Sequence, residues 1–247
     1  MILYPTIELQ NGRCVSLFRG RLEEPQIWHV DPVLKAIEFA KAGAQWIHVT
    51  DFDAIAGDDR NRDLVDEIIR RAGAPVQLGG GFRSMAAIQE AVDRGVGRVV
   101  LGTVALLQPD LLKQAAKAFP DQIVLAVDVY QGQVMSDGWR QASAYRPREF
   151  LGWFDSDPLA AIIVTDIDAD LGEAEDALAL VTQLADVARA PVISRGIARS
   201  LDGISRLKYV PKVSGAIVGR ALFDKSVDLE EALAIASEPM GRMVPMI

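Results

Sequence analysis

The sequence predicts a (β/α)8 TIM barrel built from two duplicated half-barrels, about 1–120 and 121–247. Three observations predict it. Short apolar, β-rich runs alternate with longer amphipathic stretches about eight times, the pattern of a parallel sheet joined by helical crossovers. The 247 residues come close to the ~250 of a complete barrel. Motifs of the first half recur in the second at a nearly constant spacing, much longer than any solenoid period.

The predicted strands are Ile2–Ile7, Trp46–Thr50, Pro75–Leu78, Arg98–Leu101, Ile123–Val127, Ala161–Thr165, Pro191–Ser194 and Gly215–Val218. Several are almost purely apolar, as strands covered on both faces must be. The predicted helices include Pro32–Ala42, Arg62–Ala72, Met85–Asp93, Asp110–Ala118, Ala174–Val187 and Leu229–Ala236. In the first of these, Val33, Ala36, Ile37 and Ala40 fall at i, i+3, i+4, i+7 and form a core-facing stripe. Gly43, Gly73 and Gly95 stand where a left-handed C-cap wants glycine, and Ser84 can cap the helix that follows it. Nothing linker-like divides the chain, so one domain over 1–247 is expected.

The repeat has four ordered parts. Val49–Gly57 and Val164–Gly172 both read VTDxDAxxG, 115 residues apart. Glu8, Gly12 and Ser16 match Asp128, Gly132 and Ser136 at 120. Gly80, Arg83 and Ser84 match Gly196, Arg199 and Ser200 at 116, and Leu101-Gly102-Thr103 parallels Val218-Gly219-Arg220 at 117.

Composition narrows the function. The net charge of −8 argues against nucleic acid and anionic membranes as partners, while leaving room for a local basic pocket. One cysteine, Cys14, excludes an internal disulfide and fits a reducing compartment; in its apolar-leaning stretch it reads as a packed thiol. The N-terminal MILYPTIELQ lacks the basic and long apolar regions of a signal peptide, and no apolar run approaches a membrane span. A cytoplasmic protein is expected. His29 and His48 are the only histidines, with no metal-ligand spacing, and His48 reads as a hydrogen-bonded core residue.

Barrel enzymes work at the loops that follow their strands, and every repeated motif falls there. Glu8 and Asp128 would face each other across the mouth. Opposed carboxylates suit an acid and a base; the alternative is that they cap loop amides or pair with basic residues. Gly80 and Gly81, with Arg83 after them, and Gly102-Thr103 read as a phosphate cradle, because glycines let backbone N–H groups approach an anion. The second-half counterpart, Arg195-Gly196 with Gly219-Arg220, is poorer in glycine and richer in arginine. Asp51 and Asp166 either bind substrate hydroxyls or cap the next helix. Trp139 either stacks on a heterocycle or closes the rim.

Together these motifs resemble the phosphoribosylformimino-aminoimidazole-carboxamide ribotide isomerase family of histidine biosynthesis. The matching stretches are Pro5 to Leu9, Gly12, Trp46 to Val49 with Asp51 and Asp53, Pro75 to Ser84, Leu101 to Thr103, Val127-Asp128, Gly138-Trp139, Thr165-Asp166 and Val218 to Leu222. The resemblance implies a monomeric, cofactor-free, metal-free isomerase acting on a small phosphorylated substrate. It carries out an Amadori rearrangement of an aminoaldose to an aminoketose phosphate. Asp128 matches the acid, Glu8 the position of the base, and Thr165 a residue that assists the acid. The chain departs from the family in four places. Glu8 stands where members carry aspartate. Arg195 replaces the first of two paired glycines. Ser16 replaces an arginine of the first loop, with Arg19 nearby. Ala169-Asp170-Leu171 replaces an Arg-Asp-Gly run. Two alternatives follow: an altered paralogue that binds a phosphorylated metabolite without the family activity, and the sister cyclase.

Overall fold

A computed structural model describes residues 1–18, 20–168 and 174–237, with 174 and 175 as backbone. Eight parallel strands close into a barrel: β1 (Ile2–Gln10), β4 (Ile47–Asp51), β5 (Val76–Gly79), β6 (Arg98–Leu101), β7 (Ile123–Tyr130), β10 (Ala161–Asp166), β11 (Val192–Arg195) and β12 (Val213–Val218). Each pairs with the next, and β12 pairs with β1 to complete the ring. The long helices are α1 (Pro32–Lys41), α3 (Arg62–Arg71), α4 (Met85–Asp93), α6 (Pro109–Ala118), α8 (Ala174–Val187), α9 (Leu201–Lys208) and α11 (Leu229–Ser237). The protein is a (β/α)8 barrel.

Local chemistry explains the elements. Asp31 caps α1 by accepting from the Leu34 N–H at 2.9 Å, Pro32 opens the helix, and Val33, Ala36 and Phe39 are buried. Gly43, Gly73 and Gly95 take φ of 104°, 81° and 93°, the left-handed values that end α1, α3 and α4. Ser84 and Ser200 cap α4 and α9 alike, accepting from Ala87 and Gly203 at 3.2 and 3.1 Å.

Two apolar layers result. One lies between strands and helices and includes Ile7, Ile47, Val99, Leu125 and Val164. The other fills the barrel axis with Tyr4, Val100, Val124, Ile163, Ile193 and Ile217. This inner layer is closed at the strand N-termini: the Arg98 guanidinium lies 4.5 Å over the Trp46 ring and donates to the Tyr4 hydroxyl at 3.2 Å. Gly215 is required there, since a Cβ would meet the Tyr4 ring at 2.6 Å. The axis is therefore solid at the bottom and open only at the top.

Several bounds differ from those the sequence predicts. β1 runs three residues beyond Ile7 and β7 three beyond Val127, so Glu8 and Asp128 lie inside their strands rather than at the very ends. Both extensions arise because the chain turns back on itself: β2 (Arg13–Ser16) pairs antiparallel with β1, and β8 (Gln133–Ser136) with β7. β3 (Gln26–Trp28) and β9 (Gln141–Ala142) extend these hairpins. Both turns have two residues at positive φ, Asn11-Gly12 (51°, 70°) and Gln131-Gly132 (48°, 71°). The short helices α2 (Phe52–Ala56), α5 (Thr103–Leu107), α7 (Pro147–Gly152) and α10 (Arg220–Phe223) also lie outside the predicted set, as does α9. No helix among the described residues is long and apolar enough to cross a membrane.

Candidate active site

A cavity of about 540 Å³ opens at the C-terminal ends of the barrel strands. That is the size range of small-molecule sites. Glu8 and Asp128 both line it, as do Thr165, Asp166, Trp139 and the two glycine regions.

Glu8 stands beside Thr50 of β4 and Val15 of β2 in the ladders, and its side chain is only 12% exposed. Its Oε1 accepts from Nη2 of Arg195 in an ion pair. The Arg195 guanidinium lies in turn 5.7 Å from the centre of the Trp139 ring. Trp139 ends a run of three left-handed residues, Asp137, Gly138 and Trp139 at φ 52°, 60° and 70°. This run folds the fifth loop over the mouth and lays the indole against Gly20 of the first loop, where a Cβ would meet the ring at 2.7 Å. The rim role foreseen for Trp139 and a stacking role are compatible, since the ring also lines the cavity. Arg195 was expected to offer its charge to a phosphate from the seventh loop. It closes β11 as its last strand residue, lines the cavity, and has its guanidinium engaged by Glu8.

Asp128 lies opposite Thr165 in the β7–β10 ladder, as Glu8 lies opposite Thr50. The Thr165 hydroxyl is buried and has no protein partner among the described residues. A buried hydroxyl left unsatisfied costs about 1–3 kcal/mol, which suits a group that a substrate or a neighbouring acid will engage.

The two aspartates of the repeat part ways. Asp51 caps α2 by accepting from the Ala54 N–H at 3.1 Å, and its Oδ1 also accepts from Asn61 Nδ2 at 2.8 Å. Asn61 reaches Asp53 at 2.7 Å, and Asp53 accepts from the Asn11 N–H at 2.6 Å. Burial pushes the Asp51 carboxyl above the usual range, partly offset by these bonds. Asp51 thus takes the capping role, one of the two that its place at the strand–helix junction allows. Asp166 does line the cavity and accepts from the Asp168 N–H at 2.9 Å. Asp168 accepts from the Gln131 N–H at 2.6 Å, repeating the Asn11–Asp53 bond in the second half.

Gly80 and Gly81 sit at φ 141° and 69°, where a Cβ on the first would meet the Asp51 carbonyl at 2.6 Å and one on the second would clash with the Ala54 carbonyl. The glycines are needed to fit this loop against the turn into α2, and the same closeness leaves their backbone facing the cavity. Gly81→Ala combines a left-handed alanine with a backbone clash. It should cost about 3 kcal/mol and lower Tm by roughly 6–12 °C in a thermal melt; an unchanged Tm would contradict this packing. Arg83 donates to the Ile55 carbonyl at 2.7 Å and ties the two loops together. Thr103, next to Gly102, accepts from the Asp137 N–H at 2.9 Å and anchors the loop that carries Trp139. In the second half, Gly196 has φ 102°, and a Cβ on Gly219 would lie 3.1 Å from Thr6. Arg220 donates to the Leu17 carbonyl at 3.2 Å and lies 5.9 Å over Phe18, and its Nε is buried without a protein partner among the described residues. Arg19 lies outside the described residues.

Three buried polar residues of β4 and β5 are linked to one another. Gln77 Nε2 lies 3.1 Å from His48 Nδ1, and His48 Nε2 lies 3.1 Å from Thr50 Oγ1. Since Gln77 can only donate through that nitrogen, the His48 proton sits on Nε2 and is donated to Thr50. The ring is lowered to about pKa 3, first by burial and then by Arg195. Unfolded, the imidazole takes up a proton below about pH 6.5; folded, it stays neutral until about pH 3. Stability is therefore lost as pH falls through that window, by about 3 kcal/mol between pH 7 and pH 4. Urea unfolding of wild type and His48→Gln should differ by that much in their loss; equal losses would refute the neutral-histidine account. Cys14 is fully buried and its thiol is pushed up to about 12 by burial, so it is a packing residue. Among the described residues no group of three or more His, Cys, Asp and Glu is placed to hold a metal ion.

Residues 2–228 match a family described as Histidine biosynthesis protein. The chain is 56% identical over 243 residues to a 1-(5-phosphoribosyl)-5-((5-phosphoribosylamino)methylideneamino)imidazole-4-carboxamide isomerase 2 of Ruegeria pomeroyi, covering 98% of each chain. It is 54% identical over 247 residues to isomerase 1 of the same description from Ruegeria sp. strain TM1040, covering 99% and 100%. To isomerase 2 of that same strain it is 39% identical over 237 residues, covering 95% and 99%.

Proposed function

The chain belongs to this histidine biosynthesis protein family, and we infer from that membership that it is the phosphoribosyl imidazole-carboxamide isomerase of its relatives' description. The reaction is an intramolecular aldose-to-ketose isomerisation in histidine biosynthesis. The observation that carries the residue assignment is that Glu8 and Asp128 line one cavity, from strands β1 and β7.

We propose the following sequence of proton transfers. Asp128, as acid, protonates the ribose ring oxygen, and the bond from that oxygen to C1 breaks. The amine nitrogen supplies the electron pair, giving a Schiff base at C1. Glu8, as base, removes the C2 proton, and the C2–H electron pair forms the enolamine. The 2-hydroxyl then gives up its proton while C1 gains one, leaving a ketone at C2 and an amine on C1. Atoms and charge balance without a redox partner. Thr165, beside Asp128 in the ladder, supports the acid with its buried hydroxyl. The substrate carries two phosphoribosyl groups, and the cavity has two regions suited to the two phosphates. One is the backbone of Gly80, Gly81 and Gly102; the other is Gly196 and Gly219 with Arg220. Backbone N–H groups and guanidinium groups both serve phosphate. Asp166 and Trp139 remain to orient the sugar hydroxyls and the imidazole.

The test is direct turnover. The purified protein, given the bisphosphate aminoaldose of its relatives' name, should produce the aminoketose at rates of an ordinary enzyme, ~1–10³ per second. Binding of the bisphosphate without turnover would instead favour the altered paralogue.

A further inference from the structure

Glu8 and Arg195 lie 187 positions apart in the chain, yet they meet at the cavity wall. Arg195 stands level with Thr165 in the β10–β11 ladder, and Thr165 stands level with Asp128. From there the arginine stem crosses the neighbouring strand β12 and reaches Glu8 on β1. The guanidinium is held from a second side by the Trp139 ring. Both partners are largely buried, with side chains 20% and 12% exposed. The adjacent His48 ring is neutral and brings no competing charge.

We propose that Arg195 is a positioning residue for the isomerisation, clasping the Glu8 carboxylate at the site where it meets the C2 proton. A glutamate carries one more rotatable bond than an aspartate, so an unheld carboxylate would wander by an ångström or more. A misplacement of about 1 Å can cost about 100-fold in rate. The pair engages one carboxylate oxygen, Oε1, and the base can work through the other. The clasp also links the base to the rim, because Trp139 rests on the same guanidinium. This inference rests on the isomerase assignment for its catalytic content, but the clasp itself can be read without substrate.

The experiment compares wild type, Arg195→Ala, Glu8→Asp, the double variant and Arg195→Lys. With the bisphosphate aminoaldose, Arg195→Ala should lower kcat about 100-fold and leave KM within about 3-fold. Glu8→Asp, too short to keep the clasp, should lose a similar factor. The double variant should fall no more than about 3-fold below the poorer single variant, because the two changes break one contact. Arg195→Lys, which keeps a charge within reach, should recover roughly 10-fold of the lost kcat. A loss in KM with kcat kept would make Arg195 a substrate-binding group and overturn the proposal, as would losses that multiply in the double variant. Thermal melts of the same proteins read the clasp alone. The Tm loss of the double variant should be smaller than the summed single losses by roughly 2–4 °C, and additive losses would overturn the clasp. A wild type that turns nothing over would sink the isomerase assignment and the catalytic role together, while the melts still decide whether the two residues hold each other.

Discussion

Glu8→Gln is expected to lower kcat by about 10³-fold, roughly 4 kcal/mol of transition-state stabilisation, while the bisphosphate binds within a few-fold of wild type. The amide keeps the volume and most of the hydrogen-bonding reach of the carboxylate but cannot take a proton. Part of the loss will come from Arg195, whose guanidinium would face a neutral amide in a partly buried site. Melts of the variant separate this: a lower Tm with residual activity near wild type would mean that Glu8 serves the fold and not the chemistry.

The second large effect is Asp128→Asn, with a loss of about 10²–10⁴-fold in kcat. Ring opening needs a proton delivered to the ribose oxygen, and the amide cannot supply it. Unlike Glu8, Asp128 forms no ion pair among the described residues, so the fold should tolerate the change better and Tm should move little. Thr165→Val would be the companion variant: it removes the buried hydroxyl beside Asp128 while keeping the shape of the side chain.

Much of this architecture was legible in the sequence. The eight apolar runs are the eight barrel strands, and the glycines after α1, α3 and α4 do end those helices at positive φ. The hairpins were missed although a signal for the first was present: Asn11-Gly12 is the dipeptide that favours a two-residue turn with both φ positive. The turn carries β1 on to Gln10, past the predicted end at Ile7, and puts Glu8 inside the strand rather than at its tip. The isomerase family was legible because the motifs of both halves fall at strand ends. The fate of Asp51 was not, since an aspartate at a strand–helix junction serves equally well as a cap or as a ligand. Asn61, ten residues away, adds to the cap by donating to both Asp51 and Asp53, a contact that no local spacing announces.

Least legible was the relation between the two departures, the longer acid at 8 and the arginine at 195. In the chain they look like two separate changes, one in the base and one in a phosphate loop. In the fold they are one contact. The arginine reaches across a strand to take hold of the longer carboxylate, so the changes complement each other. No local pattern could reveal this, because it depends on barrel closure bringing β11 and β1 to the same mouth.

The central claim is that Glu8 takes the C2 proton in a cavity it shares with Asp128. The most direct measurement is loss of the C2 proton to solvent, followed by NMR during turnover of the bisphosphate aminoaldose by wild type, Glu8→Gln and Asp128→Asn. Wild type should lose that proton as the ketose appears, and Glu8→Gln should leave it in place on the same timescale. Loss of the C2 proton by Glu8→Gln at the wild-type rate would contradict the account.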